Sequence, residues 1–118
     1  MGKNLQSNVI TETVTLGPGC APLITITPSA GSQGTTFRTN GSGFTPNRTV
    51  TRHLLKPNGQ EIILTPAISA DSNGNISWDF TSTCATPVGT SQLWVVDDTT
   101  GISSNTVTQT VTQGSGCP

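Results

Sequence analysis

The 118-residue chain contains little charge and few aromatic side chains: 9% of its residues are charged, 4% are aromatic, and tyrosine is absent. Its net charge is −1 at pH 7, and its five Lys and Arg residues are scattered along the sequence. Binding to nucleic acid or to an anionic membrane surface requires clustered basic side chains. The composition therefore argues against nucleic acid and charged membranes as partners.

Long apolar runs and metal-binding patterns are also missing. No segment approaches the roughly 18 apolar residues of a membrane-spanning helix, so we expect no membrane insertion. The first ten residues lack the apolar run of a secretory signal. The three cysteines have no Cys-x-x-Cys spacing, which argues against a zinc site. We expect neither a metal nor any other cofactor.

The chain does contain abundant Thr, 13 Gly and 8 Pro. Thr favours strands because its branched Cβ packs well on a pleated surface, whereas Gly and Pro favour tight turns. Strands are predicted at residues 23–27, 35–40, 49–56, 61–65, 75–81, 91–97 and 104–112. Seven short strands indicate an all-β, immunoglobulin-like antiparallel β-sandwich at residues 23–118. Residues 1–22 are predicted to form an extended N-terminal arm.

Two of the predicted strands identify the core. In the strand at 75–81, Ile76, Trp78 and Phe80 alternate with polar residues and are expected to share the core face. The strand at 91–97 is apolar on both faces, which predicts a central position with Leu93 and Val95 in the core.

Several turn sequences resemble those of a known family. Residues 24–37 read ITITPSAGSQGTTF, residues 41–47 read GSGFTPN, and residues 71–75 read DSNGN. These segments resemble the IPT/TIG-type and related bacterial immunoglobulin-like repeats of surface proteins. The resemblance covers most of residues 23–112. It implies surface display, with adhesion or spacing as the role, and no enzymatic residue.

The N-terminal arm repeats the last predicted strand. Residues 7–20 align without gaps on residues 104–117, and nine of the fourteen positions are identical. The positions that would share one strand face are Ile10 and Val107, Glu12 and Gln109, and Val14 and Val111. Chance is the alternative explanation, because a biased composition produces false repeats. The shared Ser-Asn and Gly-x-Gly-Cys ends argue against chance.

Two arrangements explain a real repeat. The chain is either one unit of a tandem array or a subunit whose arm adds as a strand to an open sheet edge of a neighbour. Both predict a structural component of an extracellular filament, pilus-like fibre or adhesin stalk whose partner is another copy or a tandem neighbour. The arm residues expected to make the contact are Val9, Ile10, Glu12, Val14 and Leu16.

Cys20, Cys84 and Cys117 are candidates for cross-links. Alternating strand directions place Cys84 and Cys117 at one end of the sandwich and Cys20 at the other. An internal bridge between Cys84 and Cys117 and a bridge from Cys20 to either of them in the next unit both stay open. Our working hypothesis is an intermolecular Cys20. Disulfides persist in oxidising environments, so we expect an extracellular or cell-surface location.

No residue pattern indicates catalysis, and we predict that the protein is not an enzyme. His53 is the only histidine and lacks a nearby nucleophile signature, so we interpret it as a surface side chain. Asp97 and Asp98 are adjacent and point to opposite faces of a strand end, unlike a paired-carboxylate site. Residues 71–75 lack the spacing of a calcium loop and are interpreted as a hairpin turn.

The alternative function is a carbohydrate- or receptor-binding module. Trp78 and Trp94 could stack on sugar rings, with a glycan or a host receptor as the partner. The position of Trp78 between Ile76 and Phe80, and of Trp94 beside Val96, favours packing for both. The structural role is therefore the main prediction.

Overall fold

The structure is a computed structural model that describes residues 21–118. Within these residues the chain forms nine strands, and no helix among them is long and apolar enough to cross a bilayer. The strands are β1 (Leu23–Thr27), β2 (Ala30–Ser32), β3 (Thr36–Ser42), β4 (Thr49–Leu55), β5 (Glu61–Ile63), β6 (Ile68–Ser69), β7 (Ile76–Thr81), β8 (Gly89–Asp97) and β9 (Val107–Thr112).

Two sheets form the layers of the sandwich. The larger sheet has the order β2–β9–β8–β4–β5, and the short β6 also pairs with β4. The smaller sheet has the order β1–β3–β7. Every pairing is antiparallel except that of β2 with β9, which is parallel. The prediction of an all-β, immunoglobulin-like sandwich is confirmed.

The start of the sandwich is shared between both sheets. β1 pairs with β3, and the chain then crosses to the other sheet, where β2 pairs with residues 110–112 of β9. The sequence predicted a loop at residues 29–34, because the segment is rich in turn-forming residues. Backbone bonding to β9 makes it a strand, and the N–H of Gln33 continues the contact by donating to the carbonyl of Thr112 at 2.9 Å.

The core lies between the two sheets. Its apolar side chains are at most 4% exposed and are Ile24, Phe37, Phe44, Val50, Ala70, Ile76, Leu93, Val95 and Val111. β8 lies between β9 and β4, which explains why Leu93 and Val95 are buried. Trp94 lies on the opposite face of β8, where it is half-buried and stacks on His53 with 5.3 Å between ring centroids.

The turn at residues 71–75 is held by one carboxylate. Oδ1 of Asp71 accepts hydrogen bonds from the N–H groups of Asn73 and Asn75 at 2.8 and 2.9 Å. Gly74 has a φ of 78°, and a Cβ at this position would collide with the carbonyl oxygen of Phe44. Only glycine satisfies both conditions without strain. The segment is a turn, as its sequence indicates.

Asp97 closes the end of the sandwich at which β8 ends. It is 2% exposed, and its Oδ2 accepts hydrogen bonds from the N–H and hydroxyl of Thr45 at 2.7 and 2.8 Å. Burial by itself raises the pKa of Asp97, but bonds from Thr45, Thr99 and Thr100 outweigh it and hold the pKa below its ordinary value. Asp98 instead is exposed on the opposite face, as expected from strand alternation.

β9 begins three residues later than the sequence predicts, and the residues before it are held by both backbone and side-chain bonds. Ser104 Oγ accepts from the N–H of Val95 at 2.9 Å, and Ser104 N–H donates to the carbonyl of the same residue at 2.7 Å. The carboxamide of Asn105 bonds both the N–H and the carbonyl of Ile24, at 2.8 and 3.0 Å. These two residues therefore tie β9 to β8 and to β1.

Candidate functional site

The outer edge of β7 has no strand partner among the described residues. On its inner side β7 pairs with β3 along its length, from Ile76 opposite Gly41 to Thr81 opposite Thr36. In the constant-type immunoglobulin sandwich this sheet has four strands. Here the short β6 pairs with β4 of the other sheet instead. The backbone N–H and C=O groups along the outer edge of β7 can therefore accept a further strand.

The other edge of the smaller sheet is different. The Asn105 carboxamide bonds both backbone polar groups of Ile24 in β1. A strand approaching β1 would have to displace these two bonds. The edge of β7 is therefore the better acceptor of the two.

An apolar groove of about 530 Å³ lies beside the edge of β7, between the two sheets. Side chains from both sheets line it, with Trp78 and Phe80 on one wall, Leu54, Ile62 and Leu64 on the other, and Leu93 and Val111 from the core. The edge of β7 and this groove form one continuous surface, which we name the β7 groove. It offers backbone pairing and apolar burial to the same ligand.

The groove corrects one sequence prediction. Ile76, Trp78 and Phe80 share the inner face of β7, because their cross-strand partners include the buried Thr39 and Phe37. Ile76 is buried, but Trp78 is half-buried and Phe80 is 40% exposed. Assignment of Phe80 to the core is therefore wrong. Alternation determines the face on which a side chain lies, whereas burial requires an opposing layer, and that layer ends before it covers Phe80.

Arg52 lies in this groove on the inner face of β4, where it alternates with Val50 and Leu54 and pairs with Val95 across the sheet. It is only 8% exposed. Its guanidinium carbon lies 4.9 Å from the centroid of the Trp78 ring. The sequence contained a signal for this buried arginine, because Arg52 stands between Val50 and Leu54 at the two-residue spacing of one strand face. It was not identified from the sequence.

The guanidinium of Arg52 is incompletely bonded within residues 21–118. Nη2 donates to the carbonyl of Pro66 at 2.6 Å, whereas the buried Nε has no hydrogen-bond partner. No carboxylate among the described residues pairs with it, since Asp79 pairs with Arg38 and Glu61 contacts His53. Burial lowers the pKa of Arg52. The groove thus holds a buried cation with an unused donor.

A disulfide closes the end of the sandwich beside the groove. Cys84 in the β7–β8 loop is bonded to Cys117 after β9. The Gln33 side chain braces the same end, donating to the carbonyl of Thr86 at 2.8 Å and accepting from the N–H of Gly114 at 3.0 Å. The structure thus contains the internal bridge, and both predicted partners of an intermolecular Cys20 are already paired within the chain.

Residue 21 and the β7 groove lie toward opposite ends of the sandwich. The backbone of Ala21 lies close to Gly43, near the pairing of Leu23 with Ser42. The groove is bounded by the loop after β7, which carries Cys84. The predicted arm residues Val9, Ile10, Glu12, Val14 and Leu16, and the predicted cross-link residue Cys20, lie outside the described residues.

His53, the one histidine considered for catalysis, lies apart from the groove. His53 is on the outer face of the larger sheet, with Nδ1 3.0 Å from Oε2 of the exposed Glu61 and the ring against Trp94. Within residues 21–118, no group of three or more His, Cys, Asp or Glu residues is placed to hold a metal ion.

Comparison with known proteins gives a family. A profile of the macroglobulin-like domain matches residues 21–112, and no curated protein matches the chain. Among solved structures, macromomycin is similar with a TM-score of 0.52 and 20% identity, covering 80% of this chain and 100% of that chain. At this identity the likeness concerns the fold alone. The earlier resemblance holds for immunoglobulin-like domains in general, without specific support for IPT/TIG repeats. The chain belongs to the macroglobulin-like domain family.

Proposed function

We propose that the protein is a structural subunit of an extracellular filament or stalk, in which residues 7–16 of one copy add as a strand to the β7 groove of the next copy. The observation that carries this proposal is the coincidence of an unpaired strand edge with an apolar groove on one side of the sandwich. An added strand bonds the edge through its backbone and fills the groove with alternate side chains.

The repeated sequence supplies a strand with a suitable face. In β9, the residues that match Ile10, Glu12 and Val14 point toward the interior of the sandwich. Val107 is half-buried, while Gln109 and Val111 are 8% and 3% exposed. Residues 10–14 thus repeat a side-chain pattern that this fold already buries between its sheets.

The ends of the repeat also argue for a structural origin. Ser104 and Asn105 bond to the backbones of β8 and β1, and the same dipeptide occurs at positions 7 and 8. A biased composition explains extra Thr residues, but it does not explain why a dipeptide with defined side-chain bonds recurs at the start of both segments. This supports residues 7–16 as a second strand of the β9 type.

The placement of the two contact regions favours a linear assembly. Residue 21 and the β7 groove lie toward opposite ends of the domain. A head-to-tail contact of this kind propagates as an open chain unless a rotation closes it into a ring. Each added backbone bond contributes about 0.5–1.5 kcal/mol and each buried Val, Leu or Ile about 1.5–3 kcal/mol. The Cys84–Cys117 bridge supports an extracellular location.

Two separate substitutions at neighbouring arm residues, Val14→Asp and Thr13→Asp, test the proposal. Val14→Asp in the full chain places a charge on the face that enters the groove, so self-association is expected to weaken by about a hundredfold or more, given the roughly 1.5–3 kcal/mol from burying Val and the added desolvation of the carboxylate. Thr13→Asp adds the same charge on the opposite, solvent-facing side and is the matched control. Sedimentation velocity gives the association constant, and negative-stain microscopy shows whether filaments repeat at one-domain spacing.

Two results would contradict this function. One is a wild-type chain that stays monomeric at high concentration. The other is equal weakening by Thr13→Asp and Val14→Asp, since strand addition requires the two faces of the segment to differ.

The exposed aromatic wall of the groove favours a second candidate, a carbohydrate- or receptor-binding module. Trp78 is half-buried and Phe80 is 40% exposed, so both present ring surface to a ligand. In a Trp94→Phe chain, Trp78 is the remaining tryptophan and reports on the groove. Saturable quenching by an oligosaccharide in a chain that does not self-associate would favour this second function.

A further inference from the structure

We propose that Glu12 of the added strand pairs with Arg52 in the β7 groove of the neighbouring copy, and that this ion pair selects the register of strand addition. The inference rests on the proposed function, because it names the recognition chemistry of the same groove.

Arg52 is the member of the proposed pair that lies within the described residues. It is a cation that is 8% exposed, and its buried Nε has no partner within residues 21–118. A buried charge is costly unless it is paired and hydrogen-bonded. A carboxylate offers two acceptor oxygens in a plane, which matches the fork formed by Nε and one terminal nitrogen of a guanidinium. The chemistry of the groove therefore fits a carboxylate.

The carboxylates of the described domain all have other partners, including Asp79, which lines the groove but pairs with Arg38. The chain has six Asp and Glu residues, five of which lie within residues 21–118. Of those five, Asp79 pairs with Arg38, Glu61 contacts His53, Asp71 and Asp97 bond to turn backbone, and Asp98 accepts from threonine hydroxyls. Glu12 is the sixth. It belongs to the segment proposed to enter the groove.

The position of Glu12 in the segment matches the groove. Ile10 and Val14 stand two residues to either side of it, so all three share one face of a strand with roughly 6.6 Å between successive side chains. In the groove, Arg52 has the apolar neighbours Leu54 and Trp78, and the lining also includes the charged Lys56 and Asp79. In the proposed alignment, a carboxylate flanked by apolar side chains meets a buried cation that lies beside apolar side chains.

The ion pair would favour one register of the added strand over registers shifted by one or two residues. A slip of one residue turns Glu12 to solvent and brings Thr11 and Thr13 into the groove. A slip of two residues keeps the same face inward but places Ile10 or Val14 against the cation. Apolar side chains alone would tolerate the second slip, whereas an ion pair does not. Arg52 therefore distinguishes the proposed alignment from its neighbours.

Peptide competition tests the pair on the whole protein. The probe is a synthetic peptide of residues 7–16, added to full-length Trp94→Phe chain, with inhibition of assembly and Trp78 fluorescence as readouts. The Glu12→Gln peptide keeps the size of the side chain and copies Gln109, so it isolates the charge. We expect it to compete about tenfold to a hundredfold more weakly than the wild-type peptide, as for loss of a charged hydrogen bond. A Thr13→Gln peptide, altered on the opposite face, is expected to compete like wild type.

The outcomes separate the two proposals. If the Val14→Asp peptide fails to compete while Glu12→Gln competes as well as wild type, strand addition stands and the ion pair is wrong. If the wild-type peptide neither inhibits assembly nor changes Trp78 fluorescence, both proposals fail. An Arg52→Gln chain that still folds should bind both peptides equally. The peptide comparison uses unaltered Arg52, so it shows whether the Glu12 charge matters even if that variant does not fold. A Lys56→Gln chain, which lacks the other cation of the groove lining, should still bind the wild-type peptide more tightly than Glu12→Gln; equal binding of the two peptides there would contradict the assignment to Arg52.

Discussion

Replacement of both Cys84 and Cys117 with serine is expected to lower the free energy of unfolding by about 3–4 kcal/mol. The bridge closes a loop with a sequence separation of 33 residues, and the loss of loop-closure entropy in the unfolded chain accounts for a contribution of this size. It joins the β7–β8 loop to the tail after β9, at the end that borders the β7 groove. Urea unfolding of the double variant measures the difference.

Two comparisons make this prediction specific. Treatment of the wild-type chain with reductant should give the same decrease in unfolding free energy as the double substitution. Cys20→Ser leaves the bridge intact and is expected to keep the wild-type value. The prediction is contradicted if reduction leaves the urea midpoint unchanged, or if Cys20→Ser destabilises the domain as much as loss of the pair.

Asp97→Ala is expected to have an effect of similar size, about 3–5 kcal/mol. The buried carboxylate accepts from the N–H and hydroxyl of Thr45 and from the N–H of Thr99. Removal of the acceptor leaves the two donors of the half-buried Thr45 unpaired, and each buried unpaired donor costs about 1–3 kcal/mol, whereas the exposed Thr99 can bond to water. Asp98→Ala is the matched control, because Asp98 is exposed; we expect less than about 1 kcal/mol there. Chemical denaturation at pH 7 compares the two.

The effect of Asp97 should also depend on pH. Its pKa in the folded chain is held below the ordinary value of 3.8 by the hydrogen bonds that outweigh burial. A lowered folded pKa means that the ionised group stabilises the fold above the unfolded pKa, and that this contribution is lost as the pH falls through the folded pKa. The advantage of wild type over Asp97→Asn should therefore be full at pH 7 and shrink below about pH 4. An advantage that grows on acidification would contradict the assignment.

The proposed function gives the exposed edge of β7 a role in this fold. Sandwiches protect their edges with short strands, prolines, charges or bulges, because an open edge promotes aggregation. β7 is six residues long and contains no proline, its one charge is Asp79, which pairs with Arg38, and its outer edge adjoins the groove. Such an edge is a liability in a solitary domain but an advantage in a subunit that must receive a neighbour. The proposed docking of residues 7–16 would cover this edge.

Much of the fold follows from local patterns in the sequence. Alternation and turn residues predict seven of the nine described strands, the turn at residues 71–75 and the central position of β8. They also place Trp78 and Phe80 on one face, and they indicate the repeat that matches residues 7–20 to 104–117. These features depend on the φ and ψ preferences of neighbouring residues and on the two-residue period of a strand. The local sequence of each segment is therefore sufficient to predict them.

Other features depend on what lies opposite each segment. Pairing with β9 makes a strand of Ala30–Ser32. Pairing with β4 places β6 in the larger sheet and not beside β7. The same arrangement leaves Phe80 exposed, buries Arg52 with an unpaired Nε, and joins Cys84 to Cys117. The sequence determined which side chains each strand presents on each face. Only the packing of two sheets decided which of those faces is covered, because burial and bonding are properties of pairs of segments that lie far apart in the chain.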